Sequence, residues 1–180
     1  MSQPRSASPH QPAQMSTVTI RRAVFADLES IVRIFMADEA GGHGDDWNET
    51  SRPAYERAMA AVLASPVNRL YVAVADPAMV EAGRAAAAVG GEIIGTFQLT
   101  LTPGLVGKGR TRATIESVHV RPERRRGGIG ATMIAHAIAE ARAAGAGVVQ
   151  LTSNKKRLAA HRFYERLGFS CSHEGFKFAL

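Results

Sequence analysis

The chain has little sulfur chemistry. One cysteine, Cys171, stands among 180 residues, which excludes an internal disulfide framework and a four-cysteine zinc site. A reducing, cytoplasmic compartment is the expectation that goes with a lone thiol. Cys171 sits beside an apolar stretch and reads as a small core residue. No run of about 18 apolar residues occurs, so no membrane partner is expected. Aromatic residues are sparse, at 6% with a single tryptophan. None of them interleaves the arginines between positions 121 and 126, and no helix-turn-helix pattern is visible, so no nucleic-acid partner is expected. Two histidines at metal-ligand spacing are also missing, so no metal is expected at His43 or His173.

What is there is enough for one core. Hydrophobic residues make up 46% of the chain, and the length suits one domain of ordinary size. The net charge is +6, from 22 basic and 16 acidic residues. Most of it lies between Lys108 and Arg126, where seven basic residues (Lys108, Arg110, Arg112, Arg121, Arg124, Arg125, Arg126) outnumber Glu116 and Glu123. A local patch of this kind reads either as a solvated face or as the seat of one anionic ligand.

Residues 1–16 alternate proline with serine and glutamine and hold almost nothing to bury, so a disordered tail is expected there. A single domain is expected over 17–180. Its elements follow from hydrophobic periodicity. Thr17–Arg22 alternates as a strand, and Asp27 is placed to cap a helix running to Asp38. A second helix follows Pro53. Strands are expected at Leu70–Ala75, Glu92–Thr102, Thr111–Val120 and Val148–Thr152, with a loop over 76–90. Met133, Ile134, Ala137 and Ala141 share a face of a helix after Gly130, His136 lying off that face. Leu158–Leu167 is a further helix, and Phe176–Ala179 closes as a strand. This mixed order predicts a central sheet with helices on its faces.

The strongest local pattern runs from Val118 to Ala131. A strand ends, a turn carries Arg125-Arg126-Gly127-Gly128-Ile129-Gly130, and a helix begins at once. Free amides at a helix start, the helix dipole and adjacent arginines make a phosphate cradle. Glycines let the ligand approach the backbone. The spacing is not that of a dinucleotide fingerprint, and Gly107-Lys108-Gly109 is not a nucleotide-hydrolase loop.

Arg125-x-x-Gly128-x-Gly130 after a strand resembles the acetyl-coenzyme A signature of the GNAT acyltransferases. Asn154 to Phe169, with Phe163-Tyr164-x-x-x-Gly168-Phe169, is similar to that family's late helix. Residues 151–164 resemble bacterial aminoalkylphosphonate N-acetyltransferases in particular. The resemblance implies an α/β fold with a mostly antiparallel sheet, splayed where acetyl-coenzyme A lies. It implies transfer of an acetyl group to a primary amine by direct attack. The acceptor is a small molecule, or alternatively a peptide N-terminus or lysine. The same resemblance makes Val118 and Val120 backbone partners of the cofactor arm. Arg125, Arg126, Gly127, Gly128, Ile129 and Gly130 would hold the pyrophosphate, and Asn154 and His161 would also touch the cofactor. Members often dimerise, so a homodimer is compatible with it.

Within that chemistry Tyr164 is the candidate acid near the departing sulfur, or else a packing residue beside Phe163. Glu116 is the candidate base, or else an edge carboxylate paired with Arg112 or Arg124. Strict alternation puts Glu116 on the face of Val118 and Val120, and His119 on the other. Ser117 is a departure, since many members carry a carboxylate there. Asp45, Asp46 and Glu49, with Trp47, form a connection that suits a cationic amine or a plain exposed loop.

Overall fold

The computed structural model describes residues 18–38, 44–75 and 91–178. The tail expected over 1–16, Thr17, the loop expected over 76–90 and residues 39–43, 179 and 180 lie outside the described residues. Five strands form one sheet in the order β1-β2-β3-β4-β5. They are β1 (Val18–Arg22), β2 (Asn68–Ala75), β3 (Ile93–Thr102), β4 (Arg112–Val120) and β5 (Val148–Leu151). The first four run antiparallel, and β5 pairs parallel with β4.

Helices α1 (Leu28–Met36) and α2 (Arg52–Ala64) cover one face. Leu28, Ile31, Val32 and Ile34 of α1 are buried there with Leu70, Val72 and Val74 of β2. Asp27 does not cap α1 forwards. It is buried, accepts from the Val24 amide at 2.8 Å and takes a two-pronged contact from Arg21 at 2.7 and 2.9 Å. The carboxylate thus fixes the turn that enters the helix.

The other face is covered by α4 (Ile129–Ala143) and α5 (Leu158–Arg166). Met133, Ile134, Ala137 and Ala141 bury against Phe97, Leu99 and Ile115, as the helical spacing predicts. Helix α4 stops where Gly145 turns left-handed at φ +73° and the Ala146 amide bonds back to Ala141 at 3.0 Å. A four-residue helical turn, α3 (Val106–Gly109), lies in the β3–β4 connection.

Three expectations need correction. Residues 169–178 form no strand, and Phe176 and Phe178 are exposed. Cys171 is exposed and not a core residue. His136 is half-buried, its ring edge-on to Tyr71 at 5.1 Å and to Phe97 at 6.4 Å. Those two rings stack at 4.9 Å, and their area, not the helix's own periodicity, draws the imidazole in.

Candidate active site

The site is set by an interruption in β4. On β3, Thr96 and Gln98 are two residues apart, yet their partners His119 and Glu116 are three apart. One extra residue is therefore inserted at Ser117, whose φ of +50° is left-handed. Neither Ser117 nor Val118 has a ladder partner on β3. The regular ladder is thus interrupted at Ser117–Val118.

The insertion also reverses alternation. Val118 and Val120 pack on the α4 side with Ile115. Glu116 and His119 lie opposite Gln98 and Thr96 on the α1–α2 side. The expectation that Glu116 shares a face with Val118 and Val120 is overturned, and so is the separation of Glu116 from His119. A period-two reading cannot see one added residue. Glu116 does not bind Arg112 or Arg124. It lies 3.1 Å from the Thr100 hydroxyl, which also lies 3.0 Å from the Asn68 side-chain oxygen Oδ1 and accepts from Gln98 at 3.3 Å. Arg124 pairs instead with Glu92 at 3.0 Å.

Strands β4 and β5 pair only from Arg112–Val148 to Ile115–Leu151. Beyond Ile115 the two strands are no longer paired, while β4 continues to Val120. Past β4, residues 121–126 curl back. Arg125 donates to the Val120 carbonyl at 3.1 Å, and Arg126 is left-handed at φ +68°. Gly128 is also left-handed, at φ +79°, and a Cβ added there meets nothing within 4 Å. The first backbone bond of α4 runs from Thr132 to Gly128 at 3.1 Å. The amides of Ile129, Gly130 and Ala131 precede it and point out of the helix end, which no side chain caps. A phosphate fits this end because the backbone is bare and the dipole favours negative charge. Gly130 is needed for another reason: a Cβ there would stand 3.2 Å from the Phe163 ring of α5.

Tyr164 packs on the same apolar cluster as Val118 and Val120. Its ring stands edge-on to Phe163 at 5.1 Å and to Phe169 at 5.9 Å. Burial pushes its phenol above the usual range, and the nearby Arg157 charge opposes that in part. The phenol therefore keeps its proton. Asn154 and His161 meet at the start of α5: the ring Nε2 lies 3.0 Å from the Asn154 carbonyl. A carbonyl only accepts, so that nitrogen carries the proton.

The sequence pattern missed Asp38. It is 2% exposed at the end of α1, and three basic groups from three segments converge on it. His119 Nδ1 lies 3.3 Å away, Arg125 Nη2 3.4 Å and Arg157 Nη2 3.6 Å. The His119 ring is also held edge-on by Phe35 at 5.0 Å. An acidic residue closing an amphipathic helix carries no signal of such a role.

The basic stretch is not one patch. Nine strand residues at about 3.3 Å each put Arg112 and Arg121 roughly 30 Å apart. Arg110 lies over Gly147 at the far end, where an added Cβ would be 2.6 Å from its Cγ. In the connection between α1 and α2 Asp45 accepts from the Tyr55 hydroxyl at 2.7 Å, Asp46 accepts from Asn48 at 2.8 Å, and Arg52 lies over Trp47 at 5.7 Å. Asp45 and Asp46 are thus partly engaged, while Glu49 is exposed.

The chain is similar to known proteins. A family model described as the acetyltransferase (GNAT) family matches residues 44–169. An aminoalkylphosphonate N-acetyltransferase from Salmonella typhimurium is 46% identical over 66 residues, covering 37% of this chain and 43% of that relative's length. A solved transcriptional regulator from Bacillus halodurans superposes with a TM-score of 0.79 at 36% identity, over 91% of this chain and all (100%) of that one. The glucosamine-6-phosphate N-acetyltransferase of Arabidopsis thaliana superposes at 0.65 with 14% identity, over 91% and 97% of the two chains, which speaks for the shared fold alone.

Proposed function

Because the chain belongs to the GNAT acetyltransferase family, we propose that it moves an acetyl group from acetyl-coenzyme A to the primary amine of a small molecule. Three features support this reading: the bulge at Ser117 in β4, the end of β4–β5 pairing after Ile115 and the uncapped, glycine-lined start of α4 at Gly128. Acetyl-coenzyme A would supply the acetyl group as a thioester.

Residues Arg125, Arg126, Gly127, Gly128, Ile129 and Gly130 would hold its pyrophosphate through amides and guanidinium groups. Val118 and Val120 would line the arm, and Asn154 and His161 would flank it. The Val120 carbonyl already accepts from Arg125, so Val118 is the freer backbone partner. Its amide is the donor for the oxyanion that forms on attack. Tyr164, neutral and buried, would give a proton to the departing sulfur.

The amine must lose a proton first, since alkyl ammonium groups hold theirs to about pH 10. Glu116 lies on the α1–α2 side, the side bordered by the 44–51 connection, and would take that proton through water. Asn68, Gln98 and Thr100 make its surroundings polar. Attack is direct, within a ternary complex. The name of the Salmonella relative supports a small acceptor.

Thiol release from acetyl-coenzyme A tests this, with aminoalkylphosphonates, polyamines, amino acids and short peptides as acceptors. Release dependent on a small primary amine is expected. Release with peptides alone would move the acceptor to the peptide class, and release with none would overturn the reading.

A further inference from the structure

The Lys108–Arg112 half of the basic stretch takes no part in the proposed site. Arg121, Arg124, Arg125 and Arg126 stand at the cradle end of β4, whereas Lys108, Arg110 and Arg112 stand at its other end, on the β3–β4 connection. Arg142, in the last turn of α4, lies at that same end, because the Gly147 amide bonds to the Thr111 carbonyl at 2.9 Å and draws the α4–β5 turn to the start of β4. Residues 102–115 and 141–153 contain no Asp or Glu. All four cations are exposed, and among the described residues none has an ion-pair partner.

The same connection lifts two apolar side chains off the protein. Leu105 is 95% and Val106 83% exposed. The tip that carries them has a defined geometry. The Gly109 amide bonds to the Leu105 carbonyl at 3.1 Å, and Gly107 and Lys108 are both left-handed, at φ +73° and +63°. The Arg110 stem lies between two glycines: an added Cβ would stand 3.5 Å from it at Gly107 and 2.6 Å at Gly147. Lys108 lacks a glycine's freedom, so the turn holds it in a conformation that side chains rarely adopt.

We propose that this corner docks on an anionic lipid surface. Leu105 and Val106 enter the boundary between headgroups and acyl chains, and Lys108, Arg110, Arg112 and Arg142 meet the anionic headgroups. Apolar side chains beside unpaired cations suit that boundary, and docking there needs no spanning segment. Nucleic acid fits less well, because residues 102–112 carry no aromatic ring to stack on a base. A partner protein also fits less well, because two projecting side chains bury far less than the roughly 1,200 Å² of a stable interface. Docked in this way the protein keeps its cradle in water, since the 15 residues of α4 hold Gly128 about 22 Å from the corner. The inference stands apart from the proposed acetyl transfer.

Flotation of the full chain with lipid vesicles is the test, using phosphatidylcholine alone and phosphatidylcholine with phosphatidylserine in equal parts. Binding to the phosphatidylserine vesicles alone is expected at low salt, and it should weaken as salt rises. Lys108→Gln with Arg112→Gln is expected to weaken it about 25-fold, since each cation near such a surface contributes about fivefold. Leu105→Ser with Val106→Ser is expected to weaken it by at least about fivefold. Both pairs alter exposed side chains, and unchanged circular dichroism and melting temperature check that the variants fold. Absence of flotation at low salt overturns the proposal. So does binding that either double variant leaves intact, or DNA that binds through the same residues and displaces the vesicles.

Discussion

Single side chains decide which proton moves. Tyr164 sits between Phe163 and Phe169, so a phenylalanine in its place keeps the packing and loses only the hydroxyl. Tyr164→Phe is expected to lower kcat by roughly ten- to a thousand-fold, with thermal stability little changed. Steady-state rates and a melting curve check both parts. The pH dependence has a definite sign. An acid works while protonated, and burial moves this phenol above its usual range near 10. The tyrosine's contribution is therefore complete at neutral pH and is lost only as pH rises past that range. A gain of rate between pH 7 and 9 that disappears in the phenylalanine variant would assign the hydroxyl a different, ionised role, and a loss there would mean that the phenol ionises below the range burial gives it.

Elements decide where the backbone is bare. The α4 start places Gly128 at φ +79° with empty space where a Cβ would go. Gly128→Ala should therefore cost the protein alone only about 1–2 kcal/mol, the strain of a left-handed residue. If a phosphate sits against that backbone, the added methyl meets the ligand instead. Titration calorimetry is expected to show acetyl-coenzyme A affinity falling by at least about tenfold, or about 1.4 kcal/mol. Unchanged affinity would remove Gly128 from the cradle. The same element shows why neighbouring glycines are not alike, since Gly130 makes room for Phe163 and Gly128 faces open space.

At the scale of the whole molecule, Asp38 links α1 to β4, to the 121–126 turn and to the approach of α5. Removing it leaves three basic groups facing one another. Arg125 and Arg157 are partly exposed and can turn to water, so the cost is below that of a fully buried pair. Asp38→Ala is expected to lose about 1–3 kcal/mol in urea unfolding, and to weaken acetyl-coenzyme A binding because Arg125 loses its anchor. Asp38→Asn, which keeps the shape and a donor-acceptor pair, should recover part of the stability. Equal stability of all three proteins would make the convergence incidental.

Local pattern determined strands β1–β5 and helices α1, α2, α4 and α5, because burial of one face imposes a period that composition cannot hide, but it misread Phe176–Phe178 as a strand and did not show α3. Helix α4 was expected after Gly130 and begins at Ile129, and the strands expected at Glu92–Thr102 and Thr111–Val120 form as β3 and β4. The glycine turn and the Phe163–Phe169 block were legible for the same reason, since their chemistry lies in consecutive residues. Tertiary structure decided the rest. Ser117 adds one residue to β4 only in relation to Gln98 and Thr96 across the ladder, and this sets which face Glu116 and His119 take. Asp38 gains its partners from segments more than 80 positions away, in Arg125 and His119. The arginines that form one run in sequence stand at opposite ends of a strand in space. In each case the deciding interaction joins residues distant in the chain, and no periodicity within one segment carries that information.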